Sequence, residues 1–171
     1  MVYQIRPLQK SDNRKAFESG HADLDYFFKR YAGQNQFRHH VGVTYVATDD
    51  NAIFGYITVA MGNIEVGEFP EKKSLPLNYP LPILRLGRLA VDSRYQGQGI
   101  GKQLLRYALM LAIQQRDTVG CVGVVVDAKA ETIKYYTKYG FHLIGEPMEG
   151  QIKVNPPPEP MFLSIRSIGH R

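Results

Sequence analysis

Residues 89 to 102 read Leu-Ala-Val-Asp-Ser-Arg-Tyr-Gln-Gly-Gln-Gly-Ile-Gly-Lys, an apolar run that leads into a glycine-rich turn. An amphipathic helix is predicted directly afterwards, because apolar residues recur at helical spacing from 104 to 112. Glycines let backbone N–H groups turn toward one point without Cβ clashes. The start of a helix adds unsatisfied donors and a partial positive charge. The segment therefore predicts an anion site suited to a pyrophosphate.

Two other phosphate-binding loops fit this turn less well. A Walker loop needs Gly-x4-Gly-Lys-Ser/Thr, and that spacing is absent. A dinucleotide-binding turn needs Gly-x-Gly-x-x-Gly, whereas the glycines here are Gly97, Gly99 and Gly101. Asp127 does end the next predicted strand, but too little chain follows to build the rest of such a domain. A purely structural turn is the remaining alternative, which three alternating glycines disfavour.

Periodicity along the rest of the chain predicts the order β-α-β-β-β-α-β-α-β-β. The predicted strands are residues 2–6, 43–48, 53–61, 83–92, 121–126, 141–144 and 161–167, and the predicted helices are 22–36, 101–115 and 131–139. The crossover from 83 to 126 implies two parallel strands, whereas the early strands suit an antiparallel meander. We expect one domain over residues 1–171, with a mixed sheet flanked by helices.

Composition fits an ordinary globular protein, with 44% hydrophobic and 22% charged residues. The only cysteine, Cys121, lies in an apolar run, so we expect a buried thiol and no internal disulfide. No apolar stretch is long enough to span a bilayer, and the N-terminus lacks the apolar segment of a signal peptide. These features predict a cytoplasmic protein. The net charge of +5 favours an anionic partner.

Three segments together resemble the GNAT superfamily of acetyltransferases. Gln96-x-x-Gly99-x-Gly101 is similar to its acetyl-CoA motif, Gln/Arg-x-x-Gly-x-Gly/Ala, and residues 88–92 resemble its fourth strand. Tyr136-Thr-Lys-Tyr-Gly-Phe resembles its Tyr-x-x-x-Gly-Phe signature. The resemblance covers nearly the whole chain. It implies the GNAT fold, an α/β architecture with a mixed, largely antiparallel sheet whose fourth and fifth strands splay apart.

The resemblance also implies a cofactor site for acetyl-CoA. Backbone groups of the fourth strand would hold the pantetheine arm, and amides of the glycine turn would hold the pyrophosphate. The implied cofactor-binding residues are Leu89, Ala90, Val91, Gln96, Gly97, Gln98, Gly99, Ile100, Gly101 and Lys102. A backbone N–H near Val91 is a candidate donor to the oxyanion of the tetrahedral intermediate.

Tyr136 is the candidate catalytic residue, because it occupies the position of the family's tyrosine. A free thiol has a pKa near ~8.5 and a tyrosine near ~10, so a phenol beside the sulfur can protonate the departing thiolate. A structural role is the alternative for Tyr136. The neighbouring Tyr135 and Tyr139 are expected to pack on another helical face.

A general base is less evident, because the fourth strand carries no acid where many GNAT enzymes have a glutamate. Glu65, Glu68 and Asp92 are the acids left to consider. The chemical alternative is an acceptor amine that is already largely neutral. An α-amine, with a pKa near ~8, meets that condition better than a lysine side chain near ~10.4. The missing base thus favours an α-amine as acceptor.

A narrower resemblance concerns the acceptor. Residues 17–27, Phe-Glu-Ser-Gly-His-Ala-Asp-Leu-Asp-Tyr-Phe, resemble the opening of GNAT toxins from bacterial toxin–antitoxin modules. That subgroup acetylates the amine of aminoacyl-tRNA and blocks translation, usually as a homodimer neutralised by a ribbon-helix-helix antitoxin. Basic residues that would face tRNA are Lys29, Arg30, Arg38, Arg85 and Arg88, with Lys72 and Lys73 as a further pair. Each pair could instead be a solvated face.

Two other functions stay open at this level. One is an acetyltransferase for a small amine, an antibiotic or a peptide N-terminus. The other is a non-catalytic module that binds acetyl-CoA, which the intact tyrosine and glycine turn disfavour. We expect no metal, since the adjacent His39 and His40 lack acidic or sulfur companions.

Overall fold

The computed structural model describes residues 1–64, 80–144 and 158–168. Glu65, Glu68, Lys72 and Lys73 lie outside the described residues. The strands are β1 (Gln4–Pro7), β2 (Val43–Thr48), β3 (Ile53–Ile64), β4 (Leu81–Val91), β5 (Gly123–Ala128), β6 (His142–Leu143) and β7 (Glu159–Ser164). The helices are α1 (Ala22–Arg30), α2 (Ile100–Thr118), α3 (Ile133–Lys138) and α4 (Ile165–Ile168). Short helical turns lie at Gln34–Arg38, Ser93–Tyr95 and Ala130–Thr132.

The strands form one sheet in the order β1-β2-β3-β4-β5-β7-β6. Antiparallel pairing joins β1 to β2, β2 to β3, β5 to β7 and β6 to β7, whereas β4 and β5 are parallel neighbours. The predicted mixed, largely antiparallel sheet and the predicted element order are therefore confirmed. The splaying of the fourth and fifth strands stays a prediction.

The first helix is shorter than the sequence predicted. It ends at Arg30 instead of Gln36, and a separate wide turn follows at Gln34–Arg38. The guanidinium of Arg14 explains the break, because it donates to the Phe28 carbonyl at 2.8 Å, near the end of α1. A side chain that takes up a helix carbonyl interrupts the backbone ladder. The helical spacing of Leu24, Phe27, Phe28 and Tyr31 predicts one buried stripe, and this prediction was wrong for Tyr31, which is 41% exposed.

The C-terminal strand also ends earlier than predicted. Residues 165–167 are helical, and β7 stops at Ser164. The Ser164 hydroxyl accepts from the backbone N–H of Arg166 at 3.3 Å, a bond typical of serine at the start of a helix. The bounds of β2 match the prediction, and the other strand and helix bounds lie within three residues of the predicted ones.

The chain divides into two compact units, one of Met1–Ala60 with Leu86–Leu111 and the other of Met61–Arg85 with Ala112–Arg171. The prediction of a single domain over residues 1–171 stays a prediction. Among the described residues, none of the helices has both the length and the apolar character that crossing a membrane requires.

The core of the first unit is built on aromatic rings between α1 and the sheet. Tyr56 stacks on Phe28 with ring centroids 4.4 Å apart and planes 5° apart, and Phe17 meets Phe28 edge-on at 4.8 Å. The buried Tyr56 hydroxyl donates to the Leu24 carbonyl at 2.7 Å. Aromatic pairs of this kind add about 0.5–1.5 kcal/mol beyond their burial. The rings therefore fix α1 on the sheet.

The core of the second unit lies around the apolar strands β5 and β7 and the first residues of β4. Ile83, Val125 and Phe162 are almost fully buried in its core. Cys121 is buried, its thiol contacts the Gly123 carbonyl at 3.2 Å, and burial raises its pKa. A thiol held protonated is a poor nucleophile, and the interpretation of Cys121 as a core residue is confirmed.

Gly55 on β3 keeps the first turn of α2 close to the sheet. A Cβ at this position would meet the Ala90 carbonyl oxygen at 2.9 Å, Leu104 at 3.0 Å and Ile100 at 3.2 Å. We expect Gly55→Ala to lower the free energy of unfolding by about 1–3 kcal/mol, because a backbone carbonyl cannot move aside. Chemical denaturation measures the effect.

Gly62→Ala on the same strand is the matched control. Its added Cβ would meet the flexible end of Ile83 at 3.0 Å, so we expect the smaller loss of stability there. Equal stabilities of the Gly55→Ala variant and the wild-type protein would show that α2 is not held this closely.

Candidate active site

The glycine turn is anchored at the end of β4 by a buried carboxylate, that of Asp92. Its oxygens accept from the backbone N–H of Glu18 at 3.1 Å and from the backbone N–H of Arg94 at 3.0 Å. The Arg94 guanidinium adds bonds of 3.0 and 3.1 Å. Asp92 thus joins the segment before α1 to the chain that leads into the turn.

Burial alone would raise the pKa of Asp92, but the hydrogen bonds from Arg94 and from the Glu18 amide outweigh it and lower the pKa. A carboxylate held ionised by several donors is a weak proton acceptor. These bonds give Asp92 a structural role and disfavour it as a general base.

Gln96 forms the second tie of the turn. Its side-chain amide donates to the Ser19 carbonyl and to the Val91 carbonyl, both at 3.0 Å. Ser19 is itself buried, and its hydroxyl and backbone N–H both donate to the carboxylate of Asp25 on α1. The motif glutamine therefore holds the turn to β4 and to the segment before α1.

The turn itself has the backbone that glycine allows. Gly97 has φ +79° and Gly99 has φ +81°, in the left-handed region that side chains disfavour. A Cβ built at either position meets nothing within 4 Å, so the space before the turn is open. The amides of Gly97 and of residues 99 to 102 donate no hydrogen bond to any described residue.

Helix α2 adds its own field at this point. The amide of Gln103 donates to the Gly99 carbonyl at 3.1 Å, so α2 begins directly at the turn. Its first residue, Ile100, is buried and anchors this end of the helix. A helix of 19 residues has a positive partial charge of about +0.5 at this end. Free amides, open space and positive potential together suit a diphosphate.

The fourth-strand residues lie beside this turn. Leu89 and Val91 are half-buried, Ala90 is buried, and the Val91 carbonyl is the one that accepts from Gln96. All ten sequence-predicted cofactor residues thus fall on one continuous segment. Among the described residues, no group of three His, Cys, Asp or Glu side chains could hold a metal ion.

Tyr136 lies in the second unit, on α3, and its side chain is 7% exposed. Its ring contacts Phe141 at 5.5 Å, and Gly140, with φ +96°, turns the chain so that the Phe141 amide bonds the Tyr136 carbonyl. Burial raises the pKa of Tyr136 to about 12. The phenol is therefore fully protonated at neutral pH, as a proton donor must be. Tyr135 and Tyr139 contact each other at 5.1 Å, in line with the predicted packing role.

Two of the predicted basic residues have partners of their own. Arg85 is paired with Asp127 at 2.7 Å, and the Arg88 guanidinium lies over the Phe27 ring at 3.8 Å. Lys29, Arg30 and Arg38 are exposed, and they form no salt bridge with a described residue.

The hydrogen bonds of Ser19 and Glu18 to the turn were missed at the sequence level. Local sequence offers a hint only for the bond between Ser19 and Asp25, which stand six residues apart in residues 17–27. The partners of Glu18 and Ser19, Asp92 and Gln96, lie more than 70 residues away. Side-chain bonds over such a separation cannot be deduced from local spacing.

The profile of the acetyltransferase (GNAT) domain matches residues 40–143. The chain belongs to this family. The match spans the fourth strand, the glycine turn and Tyr136, the segments on which the resemblance rested. The expected GNAT fold, acetyltransferase activity and acetyl-CoA cosubstrate are confirmed.

The GNAT chain is 28% identical to a tRNA-acetylating toxin from Mycobacterium tuberculosis over 141 residues, which cover 81% of this chain and 83% of the toxin. A crystal structure of a KacT mutant matches with a TM-score of 0.84 at 24% identity and covers 98% of both chains. A structure of AtaTR bound with AcCoA matches with a TM-score of 0.79 at 25% identity and covers 97% of this chain and 95% of that one.

Replacing Gln96 tests how the turn is held. Gln96→Ala removes two hydrogen bonds that together stabilise the turn by about 1–3 kcal/mol. We expect KM for acetyl-CoA to rise about tenfold with kcat little changed, because the turn must be ordered on binding. Gln103→Ala, an exposed glutamine on the next turn, is the control and should keep the wild-type KM. An unaltered KM in Gln96→Ala would contradict the proposed tie.

Proposed function

We propose that this GNAT acetyltransferase transfers the acetyl group of acetyl-CoA to the α-amine of aminoacyl-tRNA and thereby arrests translation as a toxin. The observation that carries the cofactor part is the open glycine turn at the start of α2, where the amides of Gly97 and of residues 99 to 102 donate no hydrogen bond to a described residue. The tRNA-acetylating relative supports the acceptor. The tRNA part also fits the net charge of +5.

In this proposal the amides from Gly97 to Lys102 bind the diphosphate of CoA. Backbone groups of Leu89, Ala90 and Val91 bind the pantetheine arm. The side chain of Gln96 acts indirectly, since its amide is used to hold the turn. The N–H near Val91 stabilises the oxyanion of the tetrahedral intermediate.

The reaction needs a neutral amine to attack the thioester carbonyl and a proton for the departing thiolate. Tyr136 supplies that proton, and its burial keeps the phenol protonated over the whole physiological range. The phenol hydrogen-bonds the sulfur as charge develops there and passes its proton to the departing thiolate, and the phenolate that results recovers a proton from solvent. The proton lost by the attacking amine goes to solvent.

Among the described residues of β4 and the turn after it, no acid is free to act as a general base, which favours an acceptor that needs none. Asp92 is fixed in hydrogen bonds, and β4 carries no carboxylate. An α-amine with a pKa near ~8 is partly neutral without a dedicated base. An aminoacyl ester lowers that value further by withdrawing electron density. A lysine side chain would remain protonated at neutral pH, which disfavours it as acceptor.

Two solved structures of the same fold support the proposed partners. A structure of AtaT complexed with acetyl-methionyl-tRNAfMet and one of AtaT bound to the C-terminus of the antitoxin AtaR share this fold. We propose that the chain acts as a homodimer in the cytoplasm, where charged tRNA is found, and that a ribbon-helix-helix antitoxin neutralises it. Lys29, Arg30, Arg38, Arg85 and Arg88 are the proposed tRNA contacts, with Arg85 and Arg88 engaged as described.

Tyr136→Phe tests the proton donor and the toxin role together. We expect kcat for acetylation of aminoacyl-tRNA to fall about 100-fold with KM for acetyl-CoA unchanged, because the ring stays and only the proton is lost. Growth arrest on expression in a bacterial host should disappear. In the wild-type enzyme kcat/KM should rise with pH through the pKa of the acceptor amine. It should show no fall from Tyr136 below pH ~10, because the phenol ionises only near its raised pKa.

Tyr135→Phe removes a hydroxyl from the same helix and is the control, with expected wild-type activity. Unimpaired growth at high expression of the wild-type protein would exclude the toxin and leave an acetyltransferase for a small amine or a peptide N-terminus. CoA binding without acetylation of any amine in a broad screen would favour a non-catalytic module.

A further inference from the structure

Four exposed side chains form a basic aromatic surface at the C-terminal end of α1. They are Tyr26, Lys29, Arg30 and Tyr31, here called the tyrosine patch. Tyr26, Lys29 and Arg30 share one helical face because they are three and four residues apart. Tyr31 follows directly as the C-terminal cap of the helix.

The two rings contact each other and remain open to solvent. Their centroids are 5.6 Å apart at an interplanar angle of 76°, and the side chains are 56% and 41% exposed. A hydrogen bond with Tyr26 raises the pKa of the Tyr31 phenol, so the Tyr31 hydroxyl stays neutral. Rings held in this way lose little conformational entropy when a partner binds.

The neighbouring cations are available to an anionic partner. Lys29 and Arg30 are exposed and form no salt bridge with a described residue. Exposed aromatic rings between free cations are the combination that single-stranded nucleic acids bind. The bases stack on the rings, and the phosphates contact the charges. A duplex keeps its bases inside the stack, so the rings cannot contact them in this way.

We propose that the tyrosine patch binds the unpaired 3′ end of the acceptor tRNA, with bases stacked on Tyr26 and Tyr31 and phosphates against Lys29 and Arg30. This inference rests on the proposed function and names the part of the substrate that this surface recognises.

The position of the patch within the first unit agrees with this role. The lead-in to α1 is hydrogen-bonded to the glycine turn through Ser19 and Gln96, and Asp25 on α1 holds Ser19. At ~1.5 Å per residue, the patch lies between about 6 Å (Tyr26) and about 13 Å (Tyr31) along α1 from its first residue. About four stacked nucleotides, at ~3.4 Å each, span the longer of these distances. One short single strand can therefore reach from the patch toward the cofactor turn.

The test compares two double variants of the full-length protein. Tyr26→Ala with Tyr31→Ala removes the rings, and Tyr26→Phe with Tyr31→Phe keeps them without their hydroxyls. Fluorescence anisotropy measures binding of a labelled single-stranded RNA 12-mer and of a blunt RNA duplex of equal length. Steady-state kinetics measure KM for aminoacyl-tRNA.

We expect the alanine pair to weaken single-strand binding about tenfold or more, because each stacked base is lost, and to raise KM for aminoacyl-tRNA similarly. Binding of the duplex and KM for acetyl-CoA should not change. The phenylalanine pair should bind single strands within about twofold of the wild-type protein.

Wild-type single-strand binding and wild-type KM in the alanine pair would overturn the inference and leave the proposed function intact. Conversion of a dimer to a monomer by the alanine pair would also overturn it, because the patch would then contact a second copy. No acetylation of charged tRNA by the wild-type enzyme would instead overturn the proposed function, and with it the assigned occupant.

Discussion

The buried carboxylate of Asp92 is the constraint on which the cofactor turn depends. It lies at the end of β4 and joins three backbone segments: the strand, the lead-in to α1 and the turn before α2. An ionised carboxylate removed from water is costly unless its oxygens are fully bonded. Here the donors come from Glu18 and Arg94, so the chain cannot leave this arrangement without exposing or stranding a charge. That cost makes the backbone path into the glycine turn well defined.

A well-defined path matters for the proposed site, because the turn is proposed to bind the diphosphate through its backbone. Amides that donate to a diphosphate must point at one place before the ligand arrives, since any ordering on binding subtracts from affinity. Gln96 adds the second tie, and Gly55 lets α2 approach β3 closely enough to set its first turn. The positive-φ glycines then leave open space where side chains would stand. The contacts that stabilise the fold here are therefore the same ones that shape the proposed cofactor site.

The sequence predicted the parts of the structure that rest on local spacing. The glycines at 97, 99 and 101, the apolar stripe of α2 and the tyrosine before Gly140 were each recognisable from neighbours. The failures arise from contacts distant in sequence. The predicted helix to Gln36 ends at Arg30, near the point where Arg14 donates to the Phe28 carbonyl. Asp92 reads as a free acid in the sequence because its donor, the Glu18 amide, is 74 residues away. Arg85 resembled a free cation until Asp127 was found beside it.

Nuclear magnetic resonance of the ¹⁵N-labelled protein tests the central claim most directly, by titration with CoA and, separately, with pantetheine, which lacks the diphosphate. If the turn grips the diphosphate, CoA shifts the amide resonances of Gly97, Gly99, Gly101 and Lys102 strongly, and pantetheine leaves them nearly unchanged. Saturable binding of CoA that moves other resonances while these four amides stay in place would contradict the account.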